Sequence, residues 1–64
     1  MKAQFEDHGS IWLLRPLDVE AQELVMDRVG PDTQWLGDAL VVEPRFVDLL
    51  AGQLAADGVE VEIP

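Results

Sequence analysis

His8 is the only histidine in the chain and there is no cysteine, so the residue types that most often do chemistry at neutral pH are nearly absent. A three-histidine zinc centre is out of reach, and any metal site would have to combine carboxylates with a single imidazole. His8 beside Glu6 and Asp7 has the composition of a general base with its orienter. Adjacent strand residues point to opposite faces, however, and His8-Gly9 reads as an exposed turn. Ser10 follows Gly9, but Trp12 stands where a nucleophile elbow needs a second glycine. Gly30, Gly37, Gly52 and Gly58 are scattered and none opens a lysine-bearing phosphate loop. Asp27, Asp32 and Asp38 lack the alternating ligands and terminal glutamate of a calcium loop. These residues predict a chain that is not an enzyme and uses no catalytic residue, metal or cofactor.

The carboxylates are what exceed the background. There are 13 Asp+Glu against 4 Lys+Arg, a formal net charge of −9 with a pI near 4.1. They recur on nearly every segment: Glu6 and Asp7, Glu20, Glu23 and Asp27, Asp32 and Asp38, Glu43 and Asp48, Glu60 and Glu62. A solubilising coat is one reading. The other is a compact negative surface that resembles a nucleic-acid backbone and occupies a basic groove on a partner, with fast, salt-sensitive association. Two features favour the second. Self-repulsion at this charge opposes the compact state, and Glu20, Glu23 and Asp27 set like charges three and four residues apart, a spacing unfavourable to a helix. Direct contact with nucleic acid or an anionic membrane is opposed by the same charge.

Elements must place these carboxylates. Ser10 to Arg15 is rich in strand formers, with a further short strand near Phe5. Pro16 ends the strand, Asp18 fits an N-cap, and a helix runs to about Val29 before the Gly30-Pro31 stop. At 100° per residue Leu17, Ala21, Leu24 and Val25 share one arc, and Glu20, Glu23 and Asp27 share a neighbouring arc about 60° wide; Val19 and Met26 lie away from both. Gly37-Asp38 reads as a tight turn between strands Thr33–Leu36 and Ala39–Glu43. Pro44 opens a second helix, Arg45 to Asp57, with Phe46, Val47, Leu50 and Leu54 at helical spacing and Gly58 as its stop. Val59 to Ile63 alternates strictly, an edge strand with Glu60 and Glu62 on one face.

The order predicts one α+β domain over residues 1–64, with the βαββαβ order of a ferredoxin-like unit and two helices on one face of an antiparallel sheet. Such a sheet leaves its other face open. Alternation in Ile11 to Leu14 and Ala39 to Val42 sends apolar side chains to both faces, so a homodimer or a hydrophobic partner is expected to cover the second. Trp12 and Trp35 are the only indoles; core packing is the expectation for at least one, and an anchor on the open face is the alternative role.

Size and composition set the frame. A chain of 64 residues buries roughly 60% of its unfolded surface, too little for a deep substrate pocket. With 48% hydrophobic residues it is nonetheless far from an acidic disordered tail. Absence of cysteine points to a reducing compartment, and no signal-peptide pattern or membrane-length apolar run is visible, so a cytoplasmic setting is expected.

The run from Glu6 to Leu17, together with Trp35 to Phe46, resembles short proteins of phages and bacterial mobile elements. These include anti-CRISPR proteins, which block CRISPR–Cas surveillance complexes, some by imitating DNA at a basic Cas surface. The likeness lies in size, charge and sequence context and transfers no functional residue. It implies an acidic inhibitor acting in a bacterial host cell on a basic nucleic-acid-binding protein such as a Cas subunit. The surface expected to face that partner is Glu20, Glu23 and Asp27, supported by Asp32, Asp38, Glu60 and Glu62. An antitoxin-like or homodimeric module binding through an apolar sheet face is the alternative.

Overall fold

The computed structural model describes all residues from Met1 to Pro64. Its first element is a full strand, β1 (Lys2–Asp7), where the sequence suggested only a short one. Lys2, Gln4 and Glu6 alternate with Ala3 and Phe5, and the latter two are buried. Asp7 and Gly9 make the turn: the Asp7 carboxylate accepts from the Gly9 N–H at 2.8 Å, and Gly9 has φ 81°, a left-handed conformation that glycine adopts without strain. Strand β2 (Trp12–Pro16) then pairs antiparallel with β1, Phe5 opposite Leu14.

Helix α1 (Val19–Val29) starts and stops where the sequence places it. The Asp18 carboxylate accepts from the Ala21 N–H at 2.8 Å as an N-cap and also from the Lys2 N–H at 2.9 Å, tying the helix start to β1. Strand β3 is only Trp35–Leu36, because the Thr33 hydroxyl donates to the Gly30 carbonyl at 3.1 Å and belongs to the loop that closes the helix. Gly37, φ 64°, makes the two-residue turn into β4 (Ala39–Val42). A 3-10 turn, Pro44–Phe46, replaces the expected first turn of helix α2 (Val47–Ala56). Val59 falls outside β5 (Glu60–Glu62); its N–H donates to the Leu54 carbonyl at 3.0 Å and finishes α2 instead.

The five strands run in the order β3-β4-β2-β1-β5. Strands β2, β3, β4 and β5 keep the sequence and directions of the expected βαββαβ unit, but β1 is inserted between β2 and β5. The purely antiparallel sheet expected from the sequence is therefore corrected to a mixed one. Because β1 runs against β2, it runs with β5, and that pair is parallel, with Ala3 beside Val61.

One core joins both helices to one face of the sheet: Ala3, Phe5, Leu14, Leu40 and Val42 meet Val25 from α1 and Val47, Ala51 and Leu54 from α2. Leu14 and Leu54 are fully buried, and truncating either to alanine costs about 2–5 kcal/mol. Both indoles lie on this helix-covered side. Trp12 and Trp35 pack against the core, and Trp12 meets Phe5 edge to face with ring centroids 6.3 Å apart.

Candidate interaction surface

The far side of the sheet carries the apolar side chains expected from alternation, mixed with charged ones. Register places Leu13, Leu36, Ala39 and Val41 there, Leu36 well exposed, but also Gln4, Glu6 and Arg15, with Glu60 and Glu62 along its β5 edge. Leu13 and Ala39 are buried all the same. Arg15 dominates this face. Its Nε donates to Glu6 Oε2 at 2.8 Å and its Nη1 to Asp38 Oδ1 at 2.8 Å, while His8 Nε2 lies 3.3 Å from Glu6 Oε1. The Arg15 guanidinium, followed by the His8 bond, holds the Glu6 carboxyl at a pKa of about 2, and Glu6 in turn raises that of Arg15. His8 and Glu6 meet on the open surface and line none of the four grooves. No group of three or more histidine, aspartate or glutamate side chains is arranged to hold a metal ion.

The other cations are engaged in the same way. Arg28 forms a fork on Asp57, with Nε and Nη2 each donating at 2.8 Å, which joins the C-terminal ends of the two helices and raises the Arg28 pKa. Arg45 lies 3.2 Å from Glu43 and stacks over the Phe46 ring at 4.7 Å; Lys2 lies 3.8 Å from Glu60. All four cationic side chains are thus paired, and the amino terminus faces Asp18 at 3.9 Å. The carboxylates of Asp7, Glu20, Glu23, Asp27, Asp32, Asp48 and Glu62 form no ion pair.

The seven residues singled out by sequence therefore divide. Glu20, Glu23 and Asp27 stand exposed on α1, turned away from Ala21 and Val25, which the helix buries against the sheet. Asp32 continues this charge into the loop after α1, exposed and unpaired. Asp38, Glu60 and Glu62 lie elsewhere: Asp38 is bound to Arg15 and Glu60 to Lys2, and both glutamates project from the face of β5 opposite Val61, which packs toward the helices. Helical spacing brings together Glu20, Glu23 and Asp27 on one side of α1, while Asp32 borders the groove between the loop after α1 and helix α2, and Asp38, Glu60 and Glu62 lie on the sheet. Sequence reasoning missed the Arg15 network because its members lie 9 and 23 residues apart.

No protein-family model, curated protein or solved structure matches this chain. No helix is long and apolar enough to cross a membrane.

Proposed function

We propose that this chain is a small non-catalytic binding protein that occupies the basic nucleic-acid-binding surface of a protein partner, an anti-CRISPR-like DNA mimic directed at a Cas subunit in the bacterial cytoplasm. The observation that carries this reading is the outer arc of α1. Glu20, Glu23 and Asp27 face solvent and form no ion pair, whereas every cationic side chain of the molecule is paired with another carboxylate. A row of carboxylates at helical spacing offers a basic groove what a phosphate backbone offers it, and Asp32 in the loop after α1 adds to the same field. Asp38 and Glu60 are compensated by Arg15 and Lys2, so in this reading they support the fold, and Glu62 adds to the long-range field.

The test reverses the arc: Glu20→Lys, Glu23→Lys and Asp27→Lys together, in affinity capture of the partner. The expected result is loss of capture with an unchanged circular dichroism spectrum. Undiminished capture by the triple variant overturns the reading.

A further inference from the structure

An open groove of about 430 Å³ runs between α2 and the loop after α1, over the core side of β4. Its walls carry Val29, Phe46, Leu49 and Leu50, and two of the chain's nine exposed large apolar residues meet here: Phe46 is 44% and Leu49 61% exposed. Helical spacing does not explain Leu49. It stands on the side of α2 away from Val47, Ala51 and Leu54, where a soluble helix normally carries a polar residue. Adjacent exposed apolar residues bordering a concave surface are a signature of an interaction site.

The charges on the rim select the occupant. Arg28 is at one end but is locked on Asp57, and Glu43 on the rim is paired with Arg45, which itself stacks on the Phe46 ring outside the groove. Asp32 alone on the rim has no partner. An anionic ligand would find no free cation there, and a second copy of this chain would bring another −9 to the contact. A cationic segment meets complementary charge at Asp32 and in the field of the whole molecule.

We infer that this groove docks a short basic segment of the protein partner, with one apolar side chain seated against Phe46, Leu49 and Leu50 and a neighbouring lysine or arginine on Asp32. The inference rests on the reading of the chain as a binder of a basic protein, but it concerns a surface distinct from the outer arc of α1. It gives the partner an apolar anchor as well as a charge match, and apolar burial supplies affinity that salt screens little.

The test is a nuclear magnetic resonance titration of the full ¹⁵N-labelled chain with two synthetic peptides, acetyl-Lys-Leu-Phe-Lys-amide and acetyl-Glu-Leu-Phe-Glu-amide. The lysine peptide is expected to shift the amides of residues 29–34 and 40–53, and the glutamate peptide to shift none. Asp32→Lys is expected to weaken the lysine peptide on the order of twofold to fivefold, the range of an exposed ion pair. Leu49→Ser, at an exposed position that does not endanger folding, is expected to weaken it roughly fivefold or more. Equal response to both peptides, shifts confined to residues 20–27, or no shift at all would overturn the inference. Loss of partner capture on reversing α1, combined with a silent groove, would leave the proposed function standing and remove only this docking site.

Discussion

Arg15 is where two distant stretches of the chain converge, and its neighbours in sequence do not disclose its partners. In sequence it is one cation at the end of a strand; in the fold it bridges Glu6 and Asp38 across the far face of the sheet. The consequence can be measured through Glu6. Its carboxyl has a pKa of about 2 in the folded chain against 4.5 when unperturbed, so it stays ionised in both states above about pH 4.5 and its full contribution is present there. As pH falls from about 4.5 toward about 2 the unfolded chain takes up the proton first, and that contribution is lost. The urea midpoint of the wild-type chain is therefore expected to fall more steeply over this interval than that of Glu6→Gln. Parallel curves would show that Arg15 does not hold Glu6 in solution. Glu20, Glu23 and Asp27 stand in contrast, since none of them forms an ion pair within the fold.

Among the elements, α1 was the most legible. Asp18 as cap, the Gly30 stop and the split between the Ala21–Val25 side and the acidic side all follow from local residue types, and local rules are enough to place them. Asp18 also does something those rules do not contain, since it accepts from Lys2 of β1 as well as from Ala21. Its carboxyl pKa is lowered first by the Ala21 bond. Asp18→Ala is expected to reduce the melting temperature clearly, and Asp18→Asn, which keeps an oxygen acceptor at the cap, to reduce it much less. An equal loss for both would mean that charge rather than the cap matters. The hairpin turn at Gly37 was legible for the same local reason. The place of β1 was not, because alternation in Lys2 to Glu6 says that a strand forms but not which strand it joins; its insertion beside β5 is decided by tertiary pairing. The open sheet face was legible in part. Alternation gave the direction of Leu13 and Val41, but Glu6, Asp38 and Glu62, which share that face with Arg15, come from other segments, and both indoles lie on the covered side.

At the scale of the whole molecule, the distribution of charge matters more than its total. Compensation falls on the far face of the sheet, at the α1–α2 clasp of Arg28 and Asp57, and at the Glu43–Arg45 pair, while the outer side of α1 and the loop after it carry four unpaired carboxylates and Asp7, Asp48 and Glu62 stand singly elsewhere. In the proposed function, that outer side of α1 is what a positively charged surface meets. The most direct measurement is capture of partners from nuclease-treated bacterial lysate on the immobilised chain, followed by washes with competing duplex DNA and with salt raised from about 50 mM to about 500 mM, which shortens the reach of surface charge severalfold. The expected result is a basic nucleic-acid-binding complex that duplex DNA displaces and that high salt largely releases. A partner indifferent to both washes, or recovery of the chain alone, would contradict the proposed mimicry.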